Sequence, residues 1–302
     1  FIKVIYLKIK KHKLLYILSM YNNLICFLTV RPPNLFYDFV LSLPNPENIY
    51  ICIDDNYYKI PDYDYKIKII KFQNRLCERE GFKNTHSQIK GATSREKALY
   101  YFCKNNIDFD NVWFIEEDVF IPTKEAIQNI DNKHIEGDLL VSKNDITYTK
   151  RTDWLWNLIN KQIRLTLPYS KRMICAIRCS KKLLQCIHNY AKKYKTLFMC
   201  EALFNTICIH NNLKLIVVEE LSTITWNYKW KHGEVNKTNL FHPVKSISQQ
   251  YKFRTPYDPD SDITVGVDNT INDIKVYSGR EKNNKPTKKI IFTKNFRRFN
   301  FL

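Results

Sequence analysis

The chain has 302 residues, of which 44% are hydrophobic and 26% charged, enough apolar material for one sizeable core and too much for a disordered main body. Its 48 basic and 30 acidic residues leave a net charge of +18, an excess that favours polyanionic or phosphate-bearing partners. None of its 9 cysteines forms a C-x-x-C pair, and its 6 glycines form neither G-x-G-x-x-G nor G-x-x-x-x-G-K-[ST], so a zinc ribbon, a dinucleotide fingerprint and a P-loop are excluded.

Residues 1–19 carry Lys8, Lys10, Lys11 and Lys13 and precede Met20, the first methionine; they read as an N-terminal extension outside the fold. The apolar stretch 14–30 is broken by Asn22 and Asn23, short of the roughly 20 apolar residues a spanning helix needs, and no signal peptide stands out. Residues 24–30 form a continuous apolar run, as expected of a strand covered on both faces. A short helix over 35–41 follows, with Asn34 as its N-cap. Residues 49–53 read as a second buried strand ending in Asp54 and Asp55, and 65–72 as a third. Residues 73–91 read as loop. A helix over 92–102 is capped by Thr93 or Ser94. The fourth strand, 111–115, runs into Glu116, Glu117 and Asp118, and a helix over 124–130 opens after Pro122.

Further on, strands are expected at 139–141, 173–177 and 213–218, and helices at 181–194 and 200–211. Polarity rises after Pro256, and Arg280, Lys282, Lys285, Lys288, Lys289, Lys294, Arg297 and Arg298 crowd the finish. These basic ends suit either solvated tails or peripheral contact with an anionic membrane face. The organisation predicted is an extension (1–19), a catalytic domain (20–255) and a polar, basic extension (256–302). Alternating strands and helices predict an α/β protein with a Rossmann-like, doubly wound, mostly parallel sheet. Buried free thiols suit a reducing compartment, so a cytoplasmic or peripheral membrane location is expected.

In such sheets ligands bind beyond the carboxyl ends of the strands, and both acidic clusters fall there. Carboxylates hold a hard divalent cation, Mn²⁺ or Mg²⁺, which offsets the charge of a departing diphosphate. Glu116 and Asp118, two apart in extended chain, point the same way. The competing explanation is an acidic turn favoured by the following helix dipole. His242 is a candidate third ligand suited to Mn²⁺, and Lys245 a candidate phosphate contact. Asp54 or Asp55 suits the nucleoside, although Asp-Asp-Asn also favours a plain turn. Arg95 suits the diphosphate or is a solvated helix-face charge. Glu201 suits a general base or a first-turn acid. Trp154 and Trp156 suit a sugar-binding platform or the core.

The run Val112-Trp113-Phe114-Ile115-Glu116-Glu117-Asp118-Val119-Phe120, with Asp54-Asp55, the Arg95 helix, Glu201 and His242-Pro243-Val244-Lys245, resembles the GT-A glycosyltransferases and their "DXD" strand end over residues 24–245. The resemblance implies a GT-A-like fold, with Glu116 meeting the ribose or metal, Asp118 and His242 on the metal, and Glu201 as base in an inverting reaction. Glu116 in place of Asp is a departure, since its longer arm suits contact through water. It implies a nucleotide-sugar donor (a UDP- or GDP-sugar) and a glycan or other hydroxyl acceptor. A nucleotidyltransferase or nuclease using the same carboxylates, and a non-catalytic binding module, remain open alternatives.

Overall fold

A computed structural model describes residues 22–61, 66–84, 91–153 and 155–256. All of these belong to one compact unit; both basic ends lie outside the described residues.

The elements in chain order are β1 (Asn23–Thr29), α1 (Asn34–Leu41), β2 (Ile49–Ile53), β3 (Lys68–Ile70), α2 (Asn74–Arg79), α3 (Ser94–Lys104), β4 (Asn111–Glu116), α4 (Ala126–Lys133), β5 (Leu139–Val141), β6 (Asp145–Thr147), α5 (Trp156–Gln162), β7 (Tyr169–Lys171), β8 (Ala176–Ser180), α6 (Lys181–Tyr194), α7 (Cys200–His210), β9 (Leu215–Val217) and α8 (Ile247–Arg254). Seven strands make one sheet in the order β3-β2-β1-β4-β8-β5-β9. The pairs β1–β2, β1–β4, β2–β3 and β5–β9 are parallel, and β8 alone runs antiparallel to its neighbours β4 and β5. This is the mostly parallel, Rossmann-like α/β architecture that the alternating sequence pattern predicts.

The strands are continuous apolar runs because both sheet faces are covered. Leu24, Cys26, Leu28, Tyr50, Cys52, Val112 and Phe114 face one core, filled from α3, α6 and α7 by side chains such as Leu99, Leu183 and Phe204. Phe27, Ile51, Ile53, Trp113 and Ile115 face the other, filled from α1 and α4 by Phe36, Val40, Ile127 and Ile130. Period-2 alternation thus sends successive residues of one strand into two separate cores.

Several expectations are corrected. Asn34 is the first helical residue of α1, not its cap; Pro33 precedes it and no side chain caps the helix. Helix α2 lies in a segment expected to be loop, because it buries only Cys77 and so shows no apolar stripe. Helix α4 begins at Ala126, two residues later than expected. Strand β8 covers Ala176–Ser180, not 173–177, because its pairing with β4 runs from Ser180 opposite Asn111 to Ala176 opposite Ile115. The start of the third strand at Tyr65 lies outside the described residues, and β3 begins at Lys68. The small β6–β7 sheet, α5 and α8 were not expected.

Trp156 is 1% exposed and lies in the core, stacked on Tyr169 with ring centroids 6.2 Å apart. Its faces are packed against protein, which corrects its expected role as an acceptor platform. Trp154 lies outside the described residues. Among the described residues no helix is long and apolar enough to cross a membrane.

Candidate metal centre

Strands β1, β2 and β4 are parallel, so their carboxyl ends share one edge of the sheet, with Thr29 opposite Ile53 and Leu28 opposite Glu116. Thr29 ties the two acidic clusters together there. Its carbonyl accepts from the Asp54 N–H at 2.9 Å, and its hydroxyl donates to the Glu117 carboxylate. Burial, reinforced by Asp118 and Glu116, raises the Glu117 carboxyl above its ordinary range despite that hydroxyl.

Glu117 therefore turns toward β1, while Glu116 and Asp118 turn elsewhere together. The reason differs from the one the sequence suggests. The chain is not extended here: the Val119 N–H donates to the Glu116 carbonyl at 3.0 Å, closing a turn. That turn brings both carboxylates to His242, whose Nε2 lies 3.4 Å from Asp118 Oδ1 and 4.0 Å from Glu116 Oε2.

His242 reaches the site because the segment around it is clamped to the turn. Phe120 and Phe241 exchange backbone hydrogen bonds, and the Val244 N–H donates to the Asp118 carbonyl at 2.8 Å. Gln250 of α8, 1% exposed, donates to the carbonyls of Glu117 and Val244, each at 3.0 Å. Phe120, Phe241 and Val244 form a small apolar cluster behind this clamp. The His242 ring meets the Thr225 carbonyl through Nδ1 at 2.6 Å. A carbonyl only accepts, so Nδ1 carries the hydrogen and Nε2 faces the carboxylates. Burial disfavours charge on the ring, but Asp118 outweighs it and raises its pKa.

Arg95 is 5% exposed, which corrects the alternative of a solvated helix charge. It donates to the Ile174 carbonyl at 3.1 Å and to Glu116 Oε1. A capping box fixes the start of its helix: the Thr93 N–H and hydroxyl both donate to Glu96, at 2.8 and 2.6 Å. Two residues on, Lys97 is 0% exposed and donates to the Asp54 carbonyl at 2.7 Å and to Asn56 Oδ1 at 2.8 Å. Burial pushes the Asp54 carboxyl up to about 6, with Lys97 pulling the other way. Asp55 differs. Its slight burial raises its pKa, but the Tyr57 N–H and Arg31 outweigh this and hold it below its ordinary range.

Glu201 opens α7 and accepts from the Cys200 thiol at 3.2 Å. Burial and then Glu201 raise the Cys200 pKa, while Arg95 opposes them, so Arg95 acts on both Glu116 and the start of α7. Lys245 is exposed beside Val244. One residue was missed by the sequence reading. Cys175 contributes to a cluster with Glu116 and His242 whose possible ligand atoms all lie within 4.8 Å of one another. No spacing signals it, because it enters through the antiparallel pairing of β8 with β4.

No protein-family model matches the chain, and no curated protein matches it in sequence. Among solved structures, the galactosyltransferase LgtC in complex with donor and acceptor sugar analogues is 10% identical over 64% of this chain and 70% of its own, with a TM-score of 0.36. An active-site mutant of LgtC gives the same identity and coverage at a TM-score of 0.35. The 4-diphosphocytidyl-2C-methyl-D-erythritol synthase of Anaerococcus prevotii is 11% identical over 66% of this chain and 92% of its own, with a TM-score of 0.35. At those identities and scores the function of this chain rests on its own site.

Proposed function

We propose that this protein is a metal-dependent glycosyltransferase that moves a sugar from a nucleotide diphosphate donor, a UDP- or GDP-sugar, to a hydroxyl of a glycan or other acceptor. The observation that carries this reading is the convergence of Glu116 Oε2 and Asp118 Oδ1 on His242 Nε2, at 4.0 and 3.4 Å, where three parallel strands end.

The donor set fits a divalent cation. Glu116 and His242 belong to a group of ligand atoms within 4.8 Å of one another, Asp118 adds a carboxylate 3.4 Å from His242, and the imidazole Nδ1 is already engaged by a backbone carbonyl, the arrangement that fixes a metal-ligating histidine. Glu116, Asp118 and His242 would hold Mn²⁺ or Mg²⁺. Bound there, the cation supplies charge to offset the negative charge that builds on a departing diphosphate. Arg95 fixes the Glu116 carboxylate by taking Oε1, leaving Oε2 toward His242. Asp54 and Asp55, at the neighbouring exit, accept hydrogen bonds from the nucleoside. Lys245 is exposed to meet a phosphate, and Glu201 takes the proton of the acceptor hydroxyl.

The test is a thermal-shift series with UDP, GDP and their sugars, with and without Mn²⁺. A specific nucleotide raises the melting temperature only with the cation, and Asp118→Ala abolishes both that shift and donor turnover while the protein still folds. Undiminished turnover in Asp118→Ala removes the reading. Salt-sensitive binding of DNA or RNA with no nucleotide response points instead to a nucleic-acid enzyme, the reading that the +18 charge favours.

A further inference from the structure

We infer that Cys175 supplies a thiolate to the cation site, making it a mixed carboxylate–imidazole–thiolate centre that prefers borderline and soft divalent cations such as Zn²⁺, Co²⁺ and Cd²⁺ over Mg²⁺. The inference rests on the cation site proposed above and specifies which metals it takes.

Three observations carry it. First, Cys175 lies directly across from Glu116. The β4–β8 register places Ile115 opposite Ala176, and the Glu116 N–H donates to the Cys175 carbonyl at 2.8 Å. Residues directly opposite in an antiparallel pair project from the same face, with Cβ atoms about 4.5–5.5 Å apart. The pairing brings the Cys175 backbone beside Glu116 at the strand exit, and the side chain there also touches the core that holds Ile115 and Ala176.

Second, Glu116, Cys175 and His242 each offer a ligand atom within 4.8 Å of the others. Tetrahedral bonds of about 2.0–2.3 Å imply ligand–ligand separations of roughly 3.3–3.8 Å. The His242–Asp118 separation of 3.4 Å already meets this and the His242–Glu116 separation of 4.0 Å nearly does. For Glu116, Cys175 and His242, whose ligand atoms lie within 4.8 Å of one another, reaching that range needs side-chain shifts of about 1 Å.

Third, the surroundings of Cys175 differ from those of most other thiols here. All nine cysteines are free, and several, such as Cys26 and Cys179, are 0% exposed among apolar neighbours. A thiol in such a place is a small hydrophobe. Cys175, 4% exposed, also packs in an apolar core, but in addition it lies near a carboxylate and an imidazole at the edge of a partly exposed site, with Glu116 and Asp118 side chains 35% and 23% exposed. A cation entering between them meets sulfur as well as oxygen and nitrogen.

The chemistry follows from ligand softness. Carboxylate and water suit Mg²⁺, whereas thiolate and imidazole shift preference toward Zn²⁺, Co²⁺ and Cd²⁺. On binding, the Cys175 S–H bond breaks, a sulfur–metal bond forms, and the proton passes to solvent. No electron is transferred.

The experiment titrates the full chain anaerobically with Co²⁺ alone and with Cd²⁺ in competition with Mn²⁺. Wild type shows the near-ultraviolet sulfur-to-cobalt charge-transfer absorption. Cys175→Ser still binds Co²⁺ but loses that absorption, and its preference for Cd²⁺ over Mn²⁺ falls at least about tenfold. Cys175→Ala, which adds no buried hydroxyl, repeats the loss if the serine variant misfolds. Co²⁺ bound by wild type without the absorption, or an absorption that survives in either variant, overturns the thiolate and leaves the oxygen–nitrogen site standing. Co²⁺ binding indifferent to both His242→Ala and Asp118→Ala overturns the site itself, and the thiolate with it.

Discussion

His242 is oriented by Thr225. The Thr225 carbonyl takes the Nδ1 hydrogen at 2.6 Å, and the opposite ring nitrogen is left 3.4 Å from Asp118. One backbone contact thereby fixes both the tautomer and the direction of this histidine.

That orientation makes a specific prediction for His242→Gln. Glutamine keeps polarity but presents no imidazole nitrogen to the carboxylates. We expect Mn²⁺ affinity to fall by about tenfold or more, the scale at which altering a metal's ligand environment acts. Manganese titration followed by electron paramagnetic resonance measures it. Unchanged affinity in the glutamine variant, with wild-type circular dichroism, removes His242 from the centre.

Arg95 offers a second test. Its guanidinium side chain is 7% exposed against 35% for its partner Glu116. Arg95→Ala leaves Glu116 beside Glu117 and Asp118 without its guanidinium partner, and leaves the Ile174 carbonyl without its donor. Breaking a fully buried pair costs about 3–5 kcal/mol; because Glu116 is partly solvated we expect about 2–3 kcal/mol. Mn²⁺ then replaces part of the missing charge, so it raises the melting temperature of Arg95→Ala more than that of wild type. Urea unfolding with and without Mn²⁺ decides this, and equal metal responses count against the arrangement.

The sequence displays this site only in part. β1, β2 and β4 are legible because both faces are covered, which turns each into an unbroken apolar run, and their exits coincide with the acidic residues. The Thr93–Glu96 box is legible because its three-residue spacing is itself the mechanism. Cys175 is not legible, because its proximity to Glu116 depends on β8 entering the sheet antiparallel between β4 and β5. Helix α8, which holds the clamp on the acidic turn, buries only Gln250. Its other packing comes from half-buried Ile247 and Phe253 and from Arg254 lying over Phe39 and Phe120, which leaves no apolar period to read. Trp156 fails for another reason: an aromatic beside polar residues looks the same in sequence whether it packs inward or outward.

Asp54 predicts a pH dependence. Burial raises its carboxyl from an ordinary 3.8 to about 6, so between those values the folded state holds a proton that the unfolded chain has released. Stability from this group therefore falls as pH rises through that window. Asp54→Asn lacks the buried charge. We expect its melting temperature to match wild type near pH 4 and to exceed it at pH 7. A difference that does not change with pH contradicts the assignment.

Glu220 predicts the opposite sign. Burial alone raises its carboxyl, but hydrogen bonds from Lys133 and His134, at 2.7 and 3.2 Å, outweigh burial and hold it below the ordinary 4.5. A depressed carboxyl contributes stability above its unfolded value, and that contribution is lost as pH falls through the folded one. Glu220→Gln should cost about 1–2 kcal/mol near neutrality, as expected for hydrogen bonds to a charged group, and the cost should vanish on acidification. Urea unfolding at pH 7 and pH 2 measures both ends, and a cost that persists at the acid end speaks against it.

Trp156 separates a structural role from an acceptor-binding one. It is 1% exposed and stacks on Tyr169 within the core beside α7. A core tryptophan truncated to alanine leaves a cavity and costs about 3–5 kcal/mol, whereas a surface platform for a sugar costs little stability and raises the acceptor KM. For Trp156→Ala we expect the stability loss, and for Trp156→Phe, which refills most of the volume, partial recovery of stability with the acceptor KM at its wild-type value. Denaturant unfolding paired with acceptor kinetics on the phenylalanine variant distinguishes the two. A raised acceptor KM at near-wild-type stability would return Trp156 to the acceptor site, and would require the core around Tyr169 to open during the reaction.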